Sequence, residues 1–159
     1  MEWKILMITL KNITDCDLRT QQLVLGWRNK PRIRMMMTNQ DKISIAEHSN
    51  WLHELKKKQN HIHYIVFDEA GPFGVAEIKT DDEFGIYIGR DSYLGKGYGK
   101  KMMEVFLKAV FETRKQVWST VKKNNKAAIK IYKDAGFYIS QDRDDPELLL
   151  IEKEVENEK

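Results

Sequence analysis

The feature that most restricts how this chain can fold is a run of alternating glycines. Gly95, Gly97 and Gly99 are separated by Lys96 and Tyr98, and Lys100 and Lys101 follow before an apolar helical pattern begins. Glycine lets the backbone approach a ligand closely and adopt positive φ. The unpaired N–H groups at a helix start face an anion, and the helix dipole adds to them. Two familiar phosphate loops are excluded. A magnesium-nucleotide loop needs Ser or Thr after the lysine, and Gly97 stands there, with Gly89 one residue too far upstream. A dinucleotide fingerprint needs a third glycine at position 100, which is Lys. What remains is a strand, a glycine loop and a helix, suited to a pyrophosphate held without metal. Read alone, the same run is also a glycine-rich turn that merely starts a helix.

The elements around the loop follow from pattern. Strands are expected over Trp3 to Leu10, His61 to Phe67, Phe73 to Ile78, Phe84 to Ile88, Gln116 to Val121, Phe137 to Ser140 and Leu148 to Val155. Thr14 with Asp17 resembles a capping box opening a helix towards Trp27, which Pro31 breaks. Ser44 with Glu47 opens a second, with Ile45, His48, Trp51, Leu52 and Leu55 on one face. A third helix, about Gly99 to Thr113, carries the stripe Met102, Phe106 and Val110, flanked by Met103 and Leu107. A fourth runs from Asn125 to Asp134, and the charged last residues read as a frayed end. The order β-α-α-β-β-β-α-β-α-β-β predicts a mixed α/β (α+β) fold.

The 159 residues fit one domain spanning 1–159, without repeats or linkers. No stretch reaches the ~20 apolar residues of a membrane span, and the first residues lack a secretory leader pattern. A single cysteine, Cys16, allows no internal disulfide. A cytoplasmic protein is the expectation. A net charge of +3, from 27 basic and 24 acidic residues, is too mild to argue for nucleic acid as the main partner and suits a small anionic ligand, and no membrane partner is expected. His61 and His63 alternate as on a surface strand, a better account than a metal site.

Asn125 and Tyr132 lie two helical turns apart and share a face, and Gly136 ends their helix before Phe137. Here the chain resembles the GNAT superfamily of acyl-CoA-dependent N-acetyltransferases. Their loop reads Q/R-x-x-G-x-G/A, occupied here by Leu94-Gly95-Lys96-Gly97-Tyr98-Gly99. Their next helix carries N-x-x-A-x-x-x-Y-x-x-x-G-F, matched by Asn125, Ala128, Tyr132, Gly136 and Phe137. The resemblance implies a mostly antiparallel central sheet with helices on both faces, and acetyl-CoA as cofactor. It implies that the backbone of Phe84 to Ile88, Tyr87 and Ile88 included, holds the pantetheine arm. It implies that Leu94 to Lys100 cradle the pyrophosphate, that Asn125 touches the cofactor, and that Tyr132 protonates the departing thiolate. Leu94 departs from the family's Gln or Arg, leaving Lys96, Lys100 or Lys101 to compensate.

The family reaction is attack of a neutral amine on the thioester. A lysine-like amine costs about 4–5 kcal/mol to deprotonate at pH 7, an α-amine only about 1–1.5 kcal/mol. Two carboxylates are candidate bases: Glu83, and Glu77, where apolar neighbours would raise the pKa. Each is equally readable as a solvated strand carboxylate. Cys16 lies too far from both motifs to carry an acyl group.

The acceptor segment holds Trp27-Arg28-Asn29, Pro31 and an E-H-x-x-W-L helix. It resembles two branches: nucleotide-linked amino-sugar N-acetyltransferases, especially of the pseudaminic acid pathway, and ribosomal-protein or broad amine acetyltransferases. The first implies a UDP-4-amino-sugar acceptor, with Arg28 on a phosphate and His48 on phosphate or base. Trp27 or Trp51 would then offer a stacking face, and Met35, Met36 and Met37 an apolar wall. Each residue also has a purely structural reading. A polyamine, amino acid, antibiotic or protein N-terminus is the alternative acceptor, and a non-catalytic acyl-CoA-binding module a remote third reading. A homodimer is plausible if Leu148 to Val155 is an edge strand.

Overall fold

In the computed structural model, residues 7–58 and 60–156 are described. The first strand, β1, runs Thr9–Asn12, later than expected; residues 3–6 of the expected strand and residues 157–159 of the charged end lie outside the described residues. Its chain continues into a 3-10 turn, Ile13–Asp15, capped by the Asn12 side chain. Asp17, and not Thr14, is the cap of α1, Leu18–Arg28, and accepts from Thr20 N–H. Thr14 is spent on the preceding turn, where its hydroxyl donates to Asn12. Pro31 starts a short helix, α2, Pro31–Arg34, because proline suits a first helical position as well as it suits a break. The Ser44–Glu47 capping box forms in full at the start of α3, Ile45–Lys57.

Three strands follow as an antiparallel meander: β2, Ile62–Asp68, β3, Gly71–Ile78, and β4, Phe84–Ile88. The glycine loop leads into α4, Tyr98–Val110. Then come β5, Gln116–Lys122, α5, Lys126–Asp134, β6, Tyr138–Gln141, and β7, Leu148–Glu154.

The strands form a four-stranded sheet, β1-β2-β3-β4, and a three-stranded sheet, β5-β7-β6, all antiparallel within each. They meet at one parallel bridge, Glu83 with Trp118, supported by Trp118 N–H donating to the Asp82 carbonyl. Beyond that point no ladder joins β4 to β5 among the described residues, so the two sheets part towards the C-terminal end of β4. This split, absent from a one-sheet expectation, is the feature that positions the site. The position of β7 between β5 and β6 removes the edge-strand reason for a dimer.

Each face of the first sheet has its own core. On one, Met102, Met103, Phe106, Leu107 and Val110 of α4 pack on Phe73, Ala76, Ile78 and Phe84, all as the helical stripe requires. On the other, Val24, Trp27, Ile33 and Leu55 from α1 to α3 cover Ile65 and Val75, with Tyr87 at the margin. Ile45, expected on the inward face of α3, is 76% exposed, whereas His48 and Leu55 further along that helix are buried.

Candidate active site

The alternation of an antiparallel ladder decides which β4 groups are spent. Gly89 donates to the Phe73 carbonyl, so Gly85, Tyr87 and Gly89 pair towards β3, while Phe84, Ile86 and Ile88 turn their amides to the open edge. That edge faces the gap between the sheets. At its end the Ile88 carbonyl accepts from Arg32 at 3.0 Å.

The glycine loop lies just past this edge. Gly95 has φ +70° and Gly97 φ +85°, and a Cβ at either would meet nothing within 4 Å. The left-handed backbone, and not crowding, demands glycine there. Gly97 caps α4, whose first bond, Lys101 N–H to the Gly97 carbonyl, is a loose 3.4 Å. The amides of Gly97 through Lys100 therefore lack helical acceptors. Gly99 has a different role: a Cβ there would come within 2.9 Å of Ile131, so glycine lets α5 close on α4. An aromatic stack anchors the loop. Tyr98 packs on Tyr93 at 4.3 Å and on Phe73 at 5.1 Å, and the Tyr93 hydroxyl donates to Asp68.

Leu94 is 41% exposed and offers the loop no polar group. It borders a cleft of about 330 Å³ that also holds Lys30, Pro31, Arg32 and Asp91. Lys30 and Arg32 both donate to the Gly89 carbonyl and both pair with Asp91, at 3.3 and 2.8 Å. They tie α2 to the loop, and pattern reading missed them because their partners lie far along the chain. Lys101 pairs with Glu104, whereas Lys96 and Lys100 have no ion pair among the described residues. A larger hollow, around Asp82, Arg114 and Glu154, lies at the turn end of β4, remote from the loop.

Asn125 caps α5, accepting from Ala128 N–H at 3.2 Å. Tyr132 is 9% exposed, its ring edge-on to Phe84 and Phe137. Burial pushes its phenol up to about 12, so the hydroxyl keeps its proton at neutral pH. Cys16 is buried, and burial raises its thiol further, which makes it a poor nucleophile.

The opposite face of β4 gathers the expected acceptor residues. His63, Glu77 and Gly85 stand abreast on β2, β3 and β4. Glu77 Oε2 lies 3.3 Å from His63 Nδ1 and 3.6 Å from His61 Nε2. A Cβ on Gly85 would sit 3.4 Å from Glu77 Oε1. Burial does push the Glu77 carboxyl up, as expected. His61, His63 and Lys79 together outweigh it and hold the group well below the usual carboxylate range. The expectation of a raised value is thus overturned, because the histidines turn inward and are not on a solvated surface. Tyr87 is pushed up by burial and by Glu77, with Arg28 and Arg32 opposing. His48 stacks on Trp51 at 5.5 Å, and Trp51 meets His63 edge-on at 4.9 Å. Burial, then His63, lowers the His48 pKa.

Arg28 Nη2 donates to the Asn39 carbonyl, while its Nη1 is buried without a partner among the described residues, as is His48 Nε2. Trp27 is no stacking face: it is 3% exposed, and its ring lies so flat on Gly89 that a Cβ there would approach within 2.1 Å. Met35 and Met36 are exposed, and Met37 packs against the core. Glu83 is paired with Lys79 at 2.9 Å, at the joined end of the two sheets.

A split sheet, a free strand edge and a glycine cradle at a helix start leave room beside β4 for an extended anionic ligand. The chain belongs to the GNAT acetyltransferase family: the acetyltransferase (GNAT) domain model matches residues 8–138. It is 32% identical over 145 residues to the acetyltransferase PseH of Campylobacter jejuni, covering 87% of this chain and 90% of that protein. The crystal structure of Campylobacter jejuni PseH in complex with acetyl coenzyme A superposes with a TM-score of 0.72 at 25% identity, over 93% of this chain and 99% of that one. A domain from Methanocaldococcus jannaschii shares the fold with a TM-score of 0.75 at 22% identity, over 94% and 99% of the two chains. The protein is an acetyl-CoA-dependent N-acetyltransferase. Its own cradle fits that cofactor, since the space beyond Gly95 and Gly97 is open and the amides there are unspent.

Proposed function

We propose that the acceptor is the 4-amino group of a UDP-linked amino-deoxy-sugar, acetylated by direct attack in a ternary complex. The observation that carries this reading is that Arg28 Nη1 and His48 Nε2 are two of four buried side-chain nitrogens, with Arg34 Nε and His61 Nε2, that lack a hydrogen-bond partner among the described residues, His48 facing the His63 that meets Glu77. A buried guanidinium nitrogen without an acceptor is costly unless an anion completes it. An amino sugar on a nucleotide offers a diphosphate for that cation and an amine for the carboxylate. The likeness to PseH over most of the chain supports the same reading.

Acetyl-CoA would supply the thioester: the neutral amine nitrogen bonds to its carbonyl carbon, the carbon–sulfur bond breaks, and the proton shed by the nitrogen passes through solvent to the released thiolate. The amides of Gly95 to Lys100 bind the pyrophosphate, with Lys96 and Lys100 as the uncommitted cations nearby. The open edge of β4 at Ile86 and Ile88 holds the pantetheine amides, and Asn125 borders that channel. Glu77 Oε1 accepts a hydrogen bond from the amine and stabilises the positive charge it gains on attack. Glu83 serves less well, being spent on Lys79. Tyr132 donates its O–H to the leaving sulfur. Full transfer from a phenol near 12 to a thiolate of ordinary pKa about 8.5 costs about 5 kcal/mol, so donation of a hydrogen bond is the larger part of its role.

The test is free-thiol release from acetyl-CoA against UDP-4-amino-sugars, spermidine, aminoglycosides, amino acids and N-terminal peptides. Turnover confined to the UDP-amino-sugars is expected. Turnover on peptides, polyamines or antibiotics alone replaces this acceptor while leaving the family reaction in place.

A further inference from the structure

We propose that His61 and His63 are positioning residues for the acceptor: together they hold Oε2 of Glu77, so that Oε1 stands ionised beside Gly85 to receive the amine. This rests on the reading of that face as the acceptor site. Glu77 alone is a poor receptor. It is half-buried on the face of β3 that also carries Val75, where partial loss of hydration disfavours the charged form of an isolated carboxyl. His63, on β2, has Nδ1 within hydrogen-bond distance of Oε2 at 3.3 Å, and His61, just before that strand, has Nε2 3.6 Å from the same oxygen, an ion-pair separation without a hydrogen bond. The other oxygen has no hydrogen bond among the described residues and lies over the one residue of β4 on that face with no side chain. Glycine at position 85 leaves free the space beside Oε1 that a Cβ would fill in van der Waals contact with the carboxylate. Trp51, edge-on to His63, restricts that ring in turn.

Other charged groups face the same spot. Lys79 on β3 lowers the Glu77 pKa as well. Tyr87 on β4, with Arg28 from α1 and Arg32 from α2 acting on it, lies beyond Glu77, and His48 of α3 faces His63. None of them is as close to Oε2 as the two histidines, so the clamp is specific. Without it, burial is the dominant influence left on Glu77 and its pKa rises.

The experiment is calorimetric binding of a UDP-4-amino-sugar to the enzyme–CoA complex from pH 5 to 8. It compares wild type, His61→Leu with His63→Leu, and His61→Gln with His63→Asn, which keeps neutral donors near the original nitrogens. CoA affinity, measured alongside, reports the fold. The leucine pair is expected to bind the acceptor about tenfold more weakly at pH 7. It is also expected to show a new acid limb, about 1–2 pH units above the ordinary carboxylate value. The amide pair should stay within about threefold of wild type without that limb. A leucine pair with wild-type acceptor binding, or with weakened binding that has no acid limb, overturns the clamp. If the leucine pair does not fold, His63→Leu alone carries the same two readouts. Wild type failing to bind the UDP-amino-sugar removes the acceptor reading instead, an outcome distinct from loss of the clamp.

Discussion

At the scale of single residues, the site separates side chains chosen for chemistry from those chosen for shape. Tyr132 is buried among aromatic rings, and its hydroxyl has no acceptor among the described residues. Removing that hydroxyl leaves packing almost unchanged. Tyr132→Phe should therefore lower kcat by about 10²-fold with CoA affinity retained; steady-state kinetics beside equilibrium CoA binding checks both halves, and an unchanged kcat removes the role. Glu77 makes a different claim. Its folded pKa lies below the unfolded value, so its ionised form favours the fold above the ordinary carboxylate pKa, about 4.3, and that contribution fades as pH falls towards the folded value. Denaturant titrations of wild type and Glu77→Gln should show a stability gap at pH 6 that closes on acidification. A gap that widens instead contradicts the clamped carboxylate.

At the scale of elements, the strength of the amphipathic pattern decided how much could be read beforehand. The stripe of α4 is buried residue for residue because its period is complete and its partner is a flat sheet face. The start of α1 was misread because Thr14 and Asp17 are both good caps, and only the preceding 3-10 turn assigns Thr14 elsewhere. Glycines show the same dependence on neighbours. Gly97 is legible from sequence, since a loop before a helix calls for positive φ. Gly89 is not, since its need arises from Trp27, sixty-two positions earlier, lying on it. Gly89→Ala should push α1 off β4 and cost about 1–3 kcal/mol, read as a lower thermal midpoint. A variant as stable as wild type would show that Trp27 yields freely.

At the scale of the whole molecule, the decisive event is the parting of two sheets after a single bridge at Glu83 and Trp118. In the proposed reading, one side of the first sheet, near the glycine cradle and Tyr132, takes the cofactor, and the other, with Glu77, Arg28 and His48, takes the acceptor. The strand β4 belongs to both, and Lys30 and Arg32 join the acceptor helices to the loop through Asp91 and the β4 carbonyls.

The sequence by itself determined the loop, most of the element order and the α4 core stripe, because each depends on residues close together in the chain and on backbone conformations that only glycine adopts freely, and the cofactor class came from the family resemblance that the loop and the Asn125–Phe137 motif carry. It also named Glu77, Arg28 and His48 without showing what surrounds them. Only the tertiary structure decided that β7 is central, that Trp27 is core, and that two histidines face Glu77 and reverse the expected direction of its pKa. Those outcomes depend on which strands lie side by side and on the net of burial against neighbouring charge, and long-range pairing sets both.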